Sequence, residues 1–236
     1  AFNMMAERIK RLIDAHKELS SAVSHELRTP LARSKFALQM LENSNDAEKK
    51  KKYIKQITGD IGELEELINE ILLYASFDSD KPELLFETVS IVELINRQVA
   101  SHSQFEGIID WQYRDDKKTN ISIECDPHFI ERALNNFINN AIKYGAGTVR
   151  ISLKVLDKQC EICIEDNGEG VSAEFKKVIF DAFSRGDNSR NRETGGFGLG
   201  LAIVARIMEW HQGEARIQDS SLGGAAFILS WPIKQN

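Results

Sequence analysis

Cysteine and proline are both scarce in this 236-residue chain, which has three of the first and four of the second. Cys125 stands alone, and Cys160 and Cys163 have C-x-x-C spacing with no second pair to complete a zinc site. In the alternating run from Gln159 to Glu165 those two thiols point to opposite faces of a strand, so reduced cysteines are the expectation, as in a reducing compartment. No apolar run approaches the roughly 18 residues that cross a bilayer, and no signal peptide opens the chain. A surplus of positive charge is lacking too. Thirty basic against 36 acidic residues leave a net charge of -6, which disfavours nonspecific nucleic-acid binding, because phosphate neutralisation is its main term. Also absent are G-x-x-x-x-G-K-[S/T], a dinucleotide fingerprint in its proper context, and the H-R-D and D-F-G signatures. Internal repeats and low-complexity tracts are missing, apart from Lys49 to Lys52, which reads as a solvated helix surface.

What is present divides into two. At 236 residues the chain exceeds the commonest domain size, so two units with separate cores are expected. Residues 1 to about 78 hold one proline, two glycines and long helical patterning. Within them Ile54, Ile57, Ile61, Leu64, Ile68, Ile71 and Ala75 recur with gaps of 3, 4, 3, 4, 3 and 4, a heptad seam that asks for a helical partner. An earlier helix supplies Leu27, Leu31, Leu38 and Leu41, with Glu42 to Asp46 as the interhelical turn. A lone hairpin covers one face only, so pairing of two hairpins into a four-helix bundle, a homodimer, is expected. The chain opens at Ala1 inside a helical pattern, which suggests a piece of a larger protein. Beyond Ser79 to Pro82 strands alternate with helices. Strands are expected at 108–113, 121–125, 148–156, 160–165, 214–218 and 226–231, and helices at 91–101, 127–144 and 199–210. This is an α/β sandwich with helices over one face of a mixed sheet.

Four polar segments stand out against that frame. His25 lies in Ser24-His25-Glu26-Leu27-Arg28-Thr29-Pro30-Leu31 and points away from the apolar seam, with Thr29 one turn on and Pro30 set to bend or loosen the helix just beyond. In Asn136-Phe137-Ile138-Asn139-Asn140-Ala141-Ile142-Lys143-Tyr144 the spacing puts Asn136, Asn140, Lys143 and Tyr144 near one helical face, which should meet a polar ligand. Asp166-Asn167-Gly168-Glu169-Gly170 sets a carboxylate at a strand end, followed by glycines that allow close backbone approach. Such a carboxylate can accept a hydrogen bond from an exocyclic amine. After Phe180-Asp181-Ala182-Phe183-Ser184-Arg185 and a polar stretch, 186–194, that reads as a mobile lid, Gly195, Gly196, Gly198 and Gly200 open a helix and offer N–H groups and a positive helix end to phosphates.

Taken in order, these segments resemble the sensor histidine kinases of two-component systems: an H box at Ser24 to Leu31, an N box at Asn136 to Tyr144, G1 at Asp166 to Gly170, an F box at Phe180 to Phe183 and G2 at Gly196 to Leu201. Gly223-Gly224-Ala225 resembles the last glycine motif, residues 2–9 resemble the end of a HAMP linker, and the H-box and G2 wording is similar to the EnvZ/PhoQ/RstB-like class. The resemblance implies an α plus α/β chain: a linker helix end over 1–15, a dimeric four-helix-bundle hairpin for phosphotransfer over 16–80, and a Bergerat-fold ATP-binding domain over 81–236. It implies ATP and Mg²⁺ as cofactors, with His25 as phosphoacceptor, Glu26 as its proton acceptor and Thr29 at the position used for hydrolysis of a phosphorylated response regulator. Asn140 would hold Mg²⁺, Asp166 would read the adenine amino group, Tyr144 would pack near the base, and Lys143, Arg185 and the G2 backbone would hold phosphates. The implied nucleotide set also includes Asn136, Gly168, Gly170, Phe183, Gly196, Gly198, Leu199, Gly200 and Leu201. A homodimer and a response regulator are the implied partners, and the full-length protein would sit in a bacterial inner membrane through a missing N-terminal region, with this part cytoplasmic.

Two rivals fare worse. Gyrase- or chaperone-like ATPases place a glutamate four residues before the metal asparagine, where this chain has Asn136, and a carboxamide is a poor general base. A scaffold that binds nucleotide without transfer has no need of His25, Asn140, Asp166 and the G2 glycines together.

Overall fold

The computed structural model describes residues 2–76, 83–113, 121–156, 158–186 and 197–235. The backbone divides after Ser76 into two compact units.

In the first unit α1 (Phe2–Asn43) and α2 (Ala47–Ser76) form the hairpin, joined by residues 44–46. Asp46 caps α2, its Oδ1 accepting from Glu48 N at 3.0 Å and Lys49 N at 3.3 Å. α1 runs unbroken through Pro30, which is buried. The face that α2 turns to α1 is rotated from the expected heptad seam. Asp60 and Leu67, seven apart, are buried at 4% and 0% exposure, and Ile57, Leu64 and Ile71 flank them half-buried. Ile54, Ile61 and Ile68 of the same seam are exposed, as are Leu31 and Leu38 of α1. The apolar pattern missed the inward line because one of its members is an aspartate. Asp60 is tolerated there because Arg33 meets it at 2.6 Å and Ser34 Oγ donates to it at 3.3 Å, while Arg33 also pairs with Glu63.

The second unit is a two-layer sandwich. A five-stranded sheet holds β2 (Ile108–Tyr113), β4 (Thr148–Leu156), β5 (Gln159–Asp166), β6 (Glu214–Asp219) and β7 (Ala225–Pro232) in the order β2-β4-β5-β7-β6. Only β2 and β4 pair in parallel, which a crossover makes possible. That crossover contains α4 (Pro127–Tyr144), which packs on β4 and β5 between α3 (Ile91–Ser101) and α6 (Gly200–Trp210). The core lies between the layers, where Leu94, Ile95, Ile130, Leu134, Ile138, Ile162, Ile203 and Leu229 are buried.

The expected strands and helices of this unit are all present within about two residues of their ends. Two short elements went unread: β1 (Glu87–Ser90), which pairs with β3 (Ser122–Cys125), and α5 (Ala173–Lys176). Both span four residues, too few for an apolar period to declare itself. Cys160 and Cys163 fall on opposite faces of β5, the second clustering with Ala226 and Ile228, and all three cysteines are free. Burial pushes the Cys163 thiol up to about 11.

Capping ties α4 to α6. Asp126 Oδ1 accepts from His128 N at 3.1 Å, Oδ2 accepts from Leu85 N at 3.0 Å, and Asp126 N donates to Nε2 of the fully buried His211 at 3.0 Å. His211 Nδ1 donates to Ile207 O at 2.8 Å, so both partners together select one neutral tautomer. At the centre of the core, Phe137 of α4 meets Phe227 of β7 with ring centroids 5.0 Å apart and is fully buried. Phe137→Ala should therefore destabilise the second unit by about 3–5 kcal/mol, read as a lower denaturant midpoint at unchanged slope. A midpoint unmoved by the substitution would mean that this contact does not carry the core.

Candidate functional site

Each unit carries part of the predicted chemistry. In the first, the His25 side chain is 68% exposed and Nδ1 faces Glu26 Oε1 at 3.4 Å. When the single N–H of a neutral imidazole sits on Nδ1 against a carboxylate, Nε2 keeps its lone pair for a reaction partner. Ser20, Ser21, Ser24 and Arg28 line an open groove of about 440 Å³ with His25. Thr29 Oγ1 donates to His25 O at 3.5 Å, one turn along. Pro30 cannot donate to Glu26 O, but the helix continues past it.

In the second unit α4 sorts its residues by face. Ala133, Leu134, Phe137, Ile138 and Ala141 are buried, Asn136, Asn140 and Lys143 are half-buried, and Tyr144 is exposed. Asn136 Nδ2 donates to Arg132 O at 3.0 Å, which commits its amide to the helix backbone. Lys143 Nζ stands 5.4 Å over the Tyr144 ring. Burial pushes the Tyr144 hydroxyl above its ordinary value, against the opposing charge of Arg185.

Asp166 ends β5 and is 2% exposed. Its Oδ1 accepts from Gly168 N at 2.8 Å and Ala225 N at 3.2 Å, and its Oδ2 carries no hydrogen bond among the described residues. Burial raises the carboxyl above its ordinary value, and the two N–H groups oppose that rise. The loops crowd this one side chain closely. A Cβ on Gly224 would lie 2.0 Å from Asp166 Oδ1, and one on Gly168 would lie 2.1 Å from Tyr144 O. Gly170 lies beside Gly224 O. Asn167, which composition did not single out, accepts from Ala146 N at 2.9 Å and Thr148 N at 3.0 Å, fixing the loop after α4. Its place between an aspartate and a glycine at a strand end is the turn signal that would have found it.

The F box and G2 touch across the chain. Phe183 N donates to Gly198 O at 2.8 Å, and Gly198, at φ 74, would place a Cβ 2.8 Å from Phe183 Cα. Leu199 is fully buried, which closes its side chain to a ligand, while Leu201 is half-buried. Gly200 opens α6, whose N-cap gives no side-chain hydrogen bond, leaving first-turn N–H groups for an anion. Arg185 is half-buried. Gly196, and the expected lid apart from Gly186, lie outside the described residues. A purine amine fits an acceptor left open in a buried carboxylate, and phosphates fit an uncapped, glycine-led helix start.

Residues 125–235 match the family described as histidine kinase-, DNA gyrase B- and HSP90-like ATPase, and residues 15–80 match the His Kinase A phospho-acceptor domain. The chain belongs to the sensor histidine kinases. Sensor protein RstB of Escherichia coli (strain K12) is 36% identical over 100% of this chain and 53% of its own length. The chain thus spans about half the length of the curated relatives it matches. Full-length ShkA, solved in complex with AMPPNP, is 27% identical with a TM-score of 0.68, covering 93% of this chain and 46% of ShkA. Histidine kinase ThkA, solved in complex with the response regulator protein TrrA, has a TM-score of 0.75 at 24% identity, covering 99% of this chain and 66% of that one, a likeness of fold. This histidine kinase core therefore joins a phospho-acceptor hairpin to an ATP-binding domain.

Gly224→Ala tests the nest around Asp166. The added methyl must push Oδ1 off at least one N–H, and loss of a hydrogen bond to a charged group costs about 1.5–3 kcal/mol, roughly ten- to a hundredfold in Kd for ADP. Titration calorimetry on a folded variant measures this, and unchanged ADP affinity would contradict the site.

Proposed function

We propose that this core, in the presence of ATP and Mg²⁺, phosphorylates itself on His25, passes the phosphoryl group to an aspartate of a response regulator, and hydrolyses the phosphorylated regulator. The observation that carries the reading is the exposed His25 with Nδ1 against Glu26. Glu26 holds the Nδ1 proton and orients the ring, and Nε2 attacks the γ-phosphorus of ATP. The N–P bond forms as the bond to the bridging oxygen of ADP breaks, and Glu26 takes the Nδ1 proton. Asn140 would hold Mg²⁺, which supplies charge neutralisation at the phosphates. Asp166 accepts the adenine amino group, Tyr144 packs near the base, and Lys143, Arg185 and the N–H groups of G2, with Gly196, Gly198, Gly200 and Leu201, hold the phosphates. Asn136, Gly168, Gly170, Phe183 and the Leu199 backbone shape the rest of the pocket.

The exposed isoleucines and leucines of the hairpin support a homodimer, since a second copy would cover Ile54, Ile61, Ile68, Leu31 and Leu38. We divide the chain into a HAMP-like linker end at 1–15, a dimerisation and phosphotransfer domain at 16–80 and an ATP-binding domain at 81–236. No helix among the described residues is long and apolar enough to cross a membrane, and we place this part in the cytoplasm of a protein held in the inner membrane by a preceding region. A water-activating ATPase is the weaker reading, because Asn136 is no base and its amide is already donating to Arg132 O.

His25→Gln should bind ATP as the parent does and incorporate no phosphate from γ-labelled ATP, whereas the parent should carry acid-labile, alkali-stable label. Label persisting in the variant would end the assignment. Thr29 separates the two activities of the helix: its hydroxyl can orient a water but cannot accept the histidine proton. Thr29→Ala should keep most autophosphorylation and transfer while losing the larger part of regulator dephosphorylation, both assayed on one preparation. Equal losses would assign Thr29 to helix geometry instead.

A further inference from the structure

Successive residues of a strand face opposite sides of the sheet, so Asp166 and Glu165 point apart. Asp166 faces the helix layer and the proposed adenine pocket. Glu165 faces the other side, where it is half-buried and its Oε1 accepts from Ser221 N at 2.9 Å, Ser221 Oγ at 2.9 Å and Ser220 Oγ at 3.1 Å. Arg150, opposite Glu165 on β4, donates to Ser221 Oγ at 3.4 Å and pairs with Asp110 at 3.3 Å. Burial alone would raise the Glu165 carboxyl, but the Ser221 and Ser220 donors and the Arg150 charge outweigh it and hold it below its ordinary value.

The two serines begin the turn between β6 and β7. Ser220 Oγ also accepts from Leu222 N at 2.9 Å, Ser220 N donates to Gly224 O at 2.9 Å, and Gly223 N donates to Ser220 O at 3.1 Å. The same turn ends at Gly224 and Ala225, against Asp166 Oδ1. One turn is thus gripped at its start by Glu165 from one face of the sheet and at its end by Asp166 from the other. We propose that Glu165 is a positioning residue for nucleotide recognition, setting through Ser220 and Ser221 the backbone that orients Asp166 toward the adenine amino group. The inference rests on Asp166 reading that amino group. It also gives Ser220 and Ser221 a part in a site that they do not line.

The test compares ATP with inosine triphosphate, which carries an oxygen where adenine carries its amino group, by competition binding to the full 236-residue chain with Mg²⁺. Glu165→Ala should weaken ATP binding about tenfold and reduce the preference for ATP over inosine triphosphate by a similar factor, as expected when one charge-assisted contact loses its geometry. The double variant Ser220→Ala with Ser221→Ala removes two of the three donors from the other side, should shift the preference in the same direction, and decides the matter if Glu165→Ala does not fold. Asp166→Asn is the reference and should abolish the preference. If Asp166→Asn abolishes it while the Glu165 and serine variants lower only the melting temperature and keep the parent's preference, Glu165 is structural and the proposal is overturned. If Asp166→Asn keeps the preference, the adenine reading itself fails and takes the proposal with it.

Discussion

Burial of the Asp166 carboxyl is the constraint around which the second unit is arranged. Taking it out of water disfavours its charged form, and the fold answers with two backbone N–H groups on one oxygen, from Gly168 and Ala225. Those groups belong to different loops, so the G1 loop and the turn between β6 and β7 must both reach a single atom. That convergence leaves no room for a Cβ at Gly224, and the neighbouring Gly168 lies equally close to the backbone of Tyr144. Glycines far apart in the chain therefore serve one carboxylate. The oxygen left over is the one proposed to accept from the adenine amino group, so that in this reading a solvation problem becomes a recognition element.

The hairpin meets a related problem differently. Asp60 sits on the line that α2 turns toward α1, where a leucine would pack without needing a partner, and Arg33 and Ser34 answer it across the interface. Breaking such a pair would leave a buried charge without compensation, so Arg33 and Ser34 must stay beside Asp60. The apolar residues of the heptad seam are then released in part to the outside, where Ile54, Ile61 and Ile68 remain exposed. The arrangement of the hairpin and the apolar face proposed for dimerisation follow from the same displacement by one position.

Legibility varied with the length of the signal. Long helices and strands, such as α4 and β4, carry enough apolar periods to be read to the residue. Four-residue elements such as β1 and α5 do not, and they exist because neighbours hold them: β1 through β3, and the start of α5 through the Ser172 hydroxyl accepting from Phe175 N at 3.2 Å. The candidate site was legible where a residue type has one strong reason to stand in a place, as with Asp166 before its glycines or His25 before Glu26. Asn167, Glu165 and the two serines were silent, because their work is to hold backbone segments 19 to 56 positions away in the chain.

By itself the sequence determined the two-unit plan, the order of the longer elements, the face of α4 that meets solvent and the residues proposed to accept or hold a phosphoryl group. These are local properties of period and side-chain chemistry, repeated often enough to survive without a partner. Tertiary structure alone decided which line of α2 packs inward, since Asp60 becomes acceptable only once Arg33 stands beside it. It alone decided which oxygen of Asp166 is occupied and which side of β5 grips the turn that occupies it. Hydrogen bonds between distant segments depend on positions in space, and a pattern read along one chain carries no record of them.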